Sequence, residues 1–258
     1  MPESDLPLLI DAAHEAGHIA AKHWRNSPRY WDKPDQQGPV TEADIEIDEM
    51  LRERLIAARP DYGWLSEESV DNPERLDTHR AFVVDPIDGT RAFMSGDRTF
   101  AHAIAVVERG QVIASLVFLP LRQKMYTATL GGGAELNGVQ IGISERTELE
   151  GAELLIARPA LDQKFWRGPV PVVNRHLRPS LAYRLCLVAE GRFDAMVTIR
   201  DSWDWDIAAG ALILGEAGAV ISDRSGAPLE FNTRHPASEG VVAGTPALHQ
   251  QIISRLEP

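Results

Sequence analysis

Phe82-Val83-Val84-Asp85-Pro86-Ile87-Asp88-Gly89-Thr90 begins as an apolar run and ends in two carboxylates, a glycine and a hydroxyl. Residues 82 to 84 fit a buried strand. Pro86 and Gly89 do not extend one, so the pattern places Asp85 and Asp88 on a turn at the strand's mouth. That is where α/β proteins gather their functional groups. Two carboxylates around a proline-stiffened turn can converge on one point. Like charges held so close need a compensating cation, and a hard divalent metal is the natural candidate.

The remaining sequence sets the bounds around that turn. With 258 residues, 44% hydrophobic and 25% charged, the chain can bury a large core as one domain or two packed lobes. The beginning of the chain lacks a basic segment followed by an apolar core, and no run is long enough to span a bilayer, so a cytoplasmic protein without membrane association is expected. The single cysteine, Cys186, lies in Leu185-Cys186-Leu187-Val188; it excludes an intrachain disulfide and reads as a packed thiol. A net charge of −12 argues against binding nucleic acid polymers or anionic membranes through the general surface. An anionic substrate would have to be held locally, by metal.

Outward from the central stretch, Leu6, Leu9, Ile10, Ala13, Gly17, Ala20, Ala21 and Trp24 recur at helical spacing and predict an amphipathic helix. Asn26 to Gly38 reads as a loop. Thr41 then offers an N-cap, with Asp44 three residues on, for a helix from Glu42 to Ala58. Its apolar stripe is Ala43, Ile47, Met50, Leu51 and Leu55, and Asp44 falls on that same face, where a carboxylate needs a partner. Beyond Asp88 the period changes to two, predicting antiparallel strands near 100–107, 111–119 and 125–129, with Gly131-Gly132-Gly133 as a hairpin connection rather than a phosphate cradle. After Gly151, strands (152–157, 195–199, 219–222) alternate with helices (181–190, 206–217). The expected lobes are residues 1–147 and 148–258, the second supplying Asp206.

Three further acidic features join the central turn. Leu65-Ser66-Glu67-Glu68-Ser69 alone would be a solvated acidic loop. Trp203-Asp204-Trp205-Asp206-Ile207-Ala208-Ala209-Gly210 places Asp206 where it can N-cap a small-residue helix, although two tryptophans are unusual neighbours for a plain surface cap. Asp44 is the third.

Together these residues resemble the inositol monophosphatase superfamily of metal-dependent, lithium-sensitive phosphatases over nearly the whole chain. Asp85-Pro86-Ile87-Asp88-Gly89-Thr90 is similar to the family's first signature and Trp205-Asp206-Ile207-Ala208-Ala209-Gly210 to its second. Val40-Thr41-Glu42-Ala43-Asp44 and Glu67-Glu68-Ser69 match two upstream elements in the family's order. The resemblance implies an α/β (α+β) fold, a five-layer α/β/α/β/α sandwich with an antiparallel sheet in the first lobe and a mixed one in the second, and a homodimer. It implies that Glu67, Asp85 and the Ile87 carbonyl hold one Mg2+, that Asp85, Asp88 and Asp206 hold another, and that a third ion joins in some members; oxygen ligands of this kind suit magnesium. It further implies that Thr90 and Asp44 orient or deprotonate the attacking water, that Glu67 tunes it, and that the Gly89 and Thr90 backbone N–H groups bind phosphate.

For the substrate, a small phosphorylated metabolite, the departures from the family matter most. The inositol-specific branch carries a glutamate before the second-signature aspartate, whereas this chain has Thr198-Ile199-Arg200-Asp201-Ser202, in which Asp201 is a partial substitute. Arg91 in Arg91-Ala92-Phe93 is similar to the basic residue of bisphosphate nucleotidases and of some histidinol phosphatases, and the Trp203/Trp205 pair is similar to that of certain bacterial 3'(2'),5'-bisphosphate nucleotidases. There an arginine can meet a second phosphate and Trp203 can stack on a purine. The alternatives for these two residues are a surface ion pair for Arg91 and a core position for Trp203. The expectation is therefore release of the 3'-phosphate of 3'-phosphoadenosine 5'-phosphate, with inositol-1-phosphate as the nearest competitor, then histidinol phosphate and sugar phosphates.

Two readings from other classes compete. His14-Glu15-Ala16-Gly17-His18 satisfies a zinc-protease pattern, but it lacks a third ligand in a second element and His23 is poorly placed, so a solvated helix edge is expected. A non-catalytic binding protein on the same fold is the other. His102, His176, His235 and His249 carry no mechanism from sequence and are expected to be structural or exposed.

Overall fold

The computed structural model describes residues 4–26, 28–33 and 38–257. Six helices, α1 (Asp5–His23), α2 (Glu42–Ala58), α3 (Thr90–Met94), α4 (Leu181–Ala189), α5 (Asp204–Glu216) and α6 (Pro246–Arg255), are arranged around two large sheets. A seven-stranded sheet holds, in spatial order, β3 (Gly63–Ser66), β4 (Arg80–Asp88), β5 (Ala101–Glu108), β6 (Gln111–Leu119), β7 (Lys124–Thr129), β8 (Gly133–Leu136) and β9 (Val139–Gln140). It departs from the expected antiparallel sheet at one edge, where β3 and β4 are parallel. The connection over 67–79 is long enough to return the chain to the same end of the sheet.

The five-stranded sheet combines β10 (Glu153–Ile156), β11 (Asn174–His176), β12 (Ala195–Thr198), β14 (Val220–Ser222) and β16 (Val241–Gly244) in the order β11-β10-β12-β16-β14, with mixed directions. Two small antiparallel ladders complete the strands. One joins β1 (Tyr30–Asp32) to β2 (Pro39–Thr41), and the other joins β13 (Ser202–Trp203) to β15 (Ala237–Ser238).

Strand alternation assigns the layers. On β4 and β5, Phe82, Val84, Ile104 and Val106 face one way and pack with α1 and α2. Val83, Ala103, Ala105 and Val107 face the other way and pack with α4 and α5. On the second sheet, Leu155, Met196, Val241 and Ala243 join that same central core, whereas Leu154, Ile156, Val197 and Val242 pack with α6. The result is the expected α/β/α/β/α sandwich, with α4 and α5 in the shared middle layer.

Several boundaries differ from the sequence expectation, each for a local reason. β4 does not end at Val84: it continues through Pro86 to Asp88, and its pairing with β5 slips between Asp85 and Asp88. A bulge tolerates proline within a strand because no ladder N–H is needed there. Asp85 and Asp88 thus lie on the strand's irregular end rather than on a free turn. The expected loop from Asn26 to Gly38 contains β1, and its Ser27 and residues 34–37 lie outside the described residues. α5 starts at Asp204, with Trp203 as its N-cap residue, so Asp206 occupies the first turn instead of capping it. β3, β11, β16 and α6 add elements that periodicity did not reveal.

α2 has the expected bounds for the expected reason. Thr41 accepts hydrogen bonds from the Ala43 and Asp44 N–H groups, and Asp44 accepts from the Thr41 N–H at 2.9 Å, forming a capping box. The triple glycine does connect the hairpin β7–β8, and the Gly131 and Gly133 N–H groups grip the Glu216 carboxylate at the end of α5. Among the described residues no helix is long and apolar enough to cross a membrane.

The α4–α5 contact depends on Gly210, where a Cβ would lie 2.7 Å from Leu185 side-chain atoms, whereas a Cβ at Gly215 meets nothing within 4 Å. Gly210→Ala is expected to cost about 1–3 kcal/mol through overpacking. Gly215→Ala, on an exposed stretch of the same helix, is expected to stabilise by about 0.5–1 kcal/mol. Urea unfolding midpoints of the two variants should move in opposite directions.

Candidate active site

Asp85 is the least conventional side chain in the molecule. It is 1% exposed, and neither of its carboxylate oxygens has a hydrogen-bond partner among the described residues. An ionised carboxylate in that position is strongly disfavoured unless a cation faces it. Burial first, then the neighbouring Glu67, Asp88 and Asp206 charges, push its pKa well above the ordinary carboxylate range. Oxygen atoms of Asp85, Asp88 and Asp206 all lie within 4.8 Å of one another. The β4 bulge brings in the first two, and the first turn of α5 brings in the third. Burial, then Asp88 and Glu67, raise Asp206 as well, against a stabilising hydrogen bond from the Trp203 backbone.

Asp88 differs from Asp85 in being anchored. Its Oδ2 accepts from the Ser180 hydroxyl and the Ala182 N–H, both at 2.7 Å. Ser180 also caps α4 by accepting from the Tyr183 N–H, and it does so from a left-handed backbone conformation (φ 65°) that a non-glycine residue rarely adopts. Local strain is thus held in place by the bond between the two halves of the chain. His102 ties the bulge from the other side. Its Nδ1 donates to the Pro86 carbonyl, and burial lowers its pKa to about 4, so the ring is neutral. This buried anchor is the role that sequence left unassigned to His102; His235 instead packs against Trp203 at the cleft.

Thr90, the first residue of α3, directs its hydroxyl to Asp44 Oδ1 at 3.2 Å and the Ile87 carbonyl at 3.1 Å. Asp44 is fully buried, and burial raises its pKa to about 6 despite the hydrogen bonds from Thr41 and Thr90. It is therefore ionised at neutral pH, with affinity for a proton. Gly89 precedes Thr90 at φ 102°, a left-handed conformation that side chains with a Cβ rarely adopt. The first N–H groups of a helix have no intrahelical acceptor, so those at this turn are available to an anion. One cavity of about 320 Å³ is lined by Glu67, Asp85, Ile87, Asp88, Gly89, Thr90, Arg91 and Asp206. Asp44 stands behind Thr90.

A second, wider cleft of about 620 Å³ shares Glu67, Asp88, Arg91, Arg184 and Asp206 with that cavity and extends over Arg200, Asp201, Trp203 and Trp205. Trp203 is not core: it is 36% exposed and stacks on Trp205, with ring centroids 5.0 Å apart and planes 9° from parallel. Arg91 is exposed and forms no ion pair among the described residues, contrary to the surface-pair alternative.

Sequence reasoning missed four residues here. Lys33 reaches Glu67 at 2.7 Å and Glu68 at 2.8 Å. Burial alone would lower its pKa, but the two carboxylates raise it. Arg184 and Arg200 line the cleft, and only the Pro179-Ser180 cap signal hinted at Ser180. Outside the cavity, His14 is exposed and packs edge-on against Phe118, while Glu15 pairs with Arg54 at 2.7 Å. Among the described residues, the sole cluster of three or more metal-ligating side chains is Asp85, Asp88 and Asp206.

Fold and site define an α/β enzyme whose chemistry centres on a carboxylate-lined cavity suited to divalent metal. A model of the inositol monophosphatase family matches residues 1–258. The inositol-1-monophosphatase of Rhizobium meliloti is 34% identical over 87% of this chain and 88% of its own. The Nus factor SuhB of Pasteurella multocida is 28% identical over 98% and 96% of the two chains. A solved structure of the Thermotoga maritima IMPase superposes with a TM-score of 0.83, at 29% identity over 96% of this chain and 95% of that one. The chain belongs to the inositol monophosphatase family, and it is a phosphoric monoester hydrolase of that metal-dependent family.

The raised carboxyl groups have a consequence for stability. Asp44, raised to about 6, and Glu68, raised to about 8 by burial and by Glu67, bind more protons in the folded chain than in the unfolded one over that range. Their contribution to stability is present at low pH and is lost as pH rises through those values. In chelator, the melting temperature is expected to fall between about pH 5 and about pH 8, and the increment produced by added Mg2+ to grow over the same interval. Differential scanning fluorimetry at fixed ionic strength checks this; an increment that does not change with pH contradicts it.

Proposed function

We propose that the chain uses magnesium and water to hydrolyse a small phosphate monoester, and that its favoured substrate is 3'-phosphoadenosine 5'-phosphate, from which it releases the 3'-phosphate. The observation that carries the phosphatase reading is the pair of orphaned Asp85 oxygens, buried beside Asp88 and Asp206 in a cavity that also holds Thr90. Glu67, Asp85, Asp88, Asp206 and the Ile87 carbonyl are the oxygen donors available to two or three ions. Divalent ions held by these groups would supply neutralisation of the phosphate, a more acidic water and stabilisation of the leaving alkoxide.

The chain's own groups do the rest. The Thr90 hydroxyl, held by Asp44 and the Ile87 carbonyl, directs a lone pair into the cavity. It accepts a proton from the attacking water as its own passes to Asp44 Oδ1. Backbone N–H groups of Gly89 and Thr90 bind phosphate oxygens where no side chain intrudes. Asp88 stays in place because Ser180 and Ala182 hold its second oxygen.

The wider cleft supports the choice of substrate. Arg91, Arg184 and Arg200 offer guanidinium groups to a second phosphate, and the exposed Trp203 face offers a stacking surface for a purine. The second reading is inositol-1-phosphate, favoured by the inositol-1-monophosphatase that is 34% identical. In that case Asp201, exposed at the cleft rim, would meet ring hydroxyls.

Phosphate release from 3'-phosphoadenosine 5'-phosphate, inositol-1-phosphate, histidinol phosphate and sugar phosphates under Mg2+ tests the proposal. The bisphosphate is expected to show the highest kcat/KM, and Trp203→Ala to raise its KM by roughly 5- to 100-fold, the equivalent of about 1–3 kcal/mol of stacking. A preference for inositol-1-phosphate would transfer the assignment to the second reading. Asp88→Asn is expected to lower turnover of any of these substrates by at least about 100-fold. Turnover retained in that variant would refute the metal-centred mechanism.

A further inference from the structure

Asp48 lies one turn beyond Asp44 on the buried face of α2 and is 5% exposed. Its Oδ1 accepts the Ser66 hydroxyl and its Oδ2 the Ser69 hydroxyl, both at 2.5 Å. Each serine also accepts a hydrogen bond, Ser66 from the Glu68 N–H and Ser69 from the Trp64 indole N–H. Donor and acceptor roles are thereby assigned, and both hydroxyl protons point to the one carboxylate. Between the two serines lie Glu67 and Glu68. β3 ends at Ser66, Glu67 keeps one long backbone bond to the Val84 carbonyl at 3.3 Å, and Val70, just after the second serine, is 97% exposed. The chain leaves the body of the protein as soon as Asp48 releases it.

We infer that Asp48 is a positioning residue for the metal centre: its two oxygens grip the hydroxyls on either side of Glu67-Glu68 and hold the Glu67 carboxylate in the cavity. The inference rests on Glu67 acting as a metal ligand, as proposed above. It gives α2 a double function, since consecutive turns of one helix then set Asp44 behind Thr90 and fix the loop that carries Glu67. Ion-ligating carboxylates need such support, and losing it typically weakens metal affinity by about 10–100-fold.

The test measures Mn2+ binding to the full chain by calorimetry, without substrate, alongside the thermal midpoint of each variant. Asp48→Asn keeps the volume but offers only one acceptor oxygen, and Ser69→Ala removes one donor. Both are expected to weaken Mn2+ binding by about 10-fold or more. Ser69→Thr, which retains a hydroxyl, is expected to bind within about threefold of the parent, as is Ile47→Val, which loosens the same helix by about 0.5–1.5 kcal/mol without touching the loop. Parental affinity in Ser69→Ala and Asp48→Asn would overturn the inference, as would a loss in Ile47→Val equal to theirs at a similar midpoint. If Asp48→Asn does not fold, the Ser69→Ala and Ser69→Thr pair decides. Failure of the parent chain itself to bind Mn2+ would bring down the metal-phosphatase reading first, and this inference with it.

Discussion

A carboxylate with no partner for either oxygen, buried between two β-strands, is the constraint around which this molecule is organised. Asp85 is almost wholly shielded from solvent and, among the described residues, no donor reaches it, so an ionised form is strongly disfavoured unless a cation faces it. The surrounding structure holds the other carboxylates close despite their repulsion. The β4 bulge turns Asp88 toward Asp85, and the Trp203 N–H steadies Asp206 at the start of α5. Crowding these carboxylates together raises their pKa values and costs stability when they ionise.

The anchoring bonds come from far apart in the chain. Asp88 is held by Ser180 and Ala182, the bulge by His102, and the Glu67 loop by Lys33 as well as the two serines. The network on the other side of α5 is similar: Arg75 is clamped by Asp71, Asn232 and Thr233, and the Asn232 N–H donates to Asp204, two residues before Asp206. The clustered carboxylates therefore rest on a set of polar contacts that themselves depend on the packed α4–α5 layer.

Most of the candidate site residues were legible because they break a local pattern. Asp85 interrupts an apolar run, Asp44 falls on a packing stripe, and Asp206 is set between tryptophan and small residues. α2 could be bounded to the residue because its capping box is written in Thr41 and Asp44. Pro86 misled in the opposite direction, since its lack of an N–H signals a strand end unless a bulge makes that N–H unnecessary. Lys33, Ser180, Arg184 and Arg200 sit in polar stretches where one more charge or hydroxyl forms no pattern, and their importance comes only from folding. β16 is a four-residue run, too short for alternation to show, although Thr245-Pro246 after it was a readable start signal for α6.

The bond from Ser180 to Asp88 spans 92 residues of chain. During synthesis Asp85 and Asp88 therefore emerge long before the groups that confine them, and as isolated side chains they remain hydrated. The site is complete only once the middle layer is packed against the first sheet. Recovery of activity on refolding would thus report the closing event of assembly, not the formation of either sheet by itself.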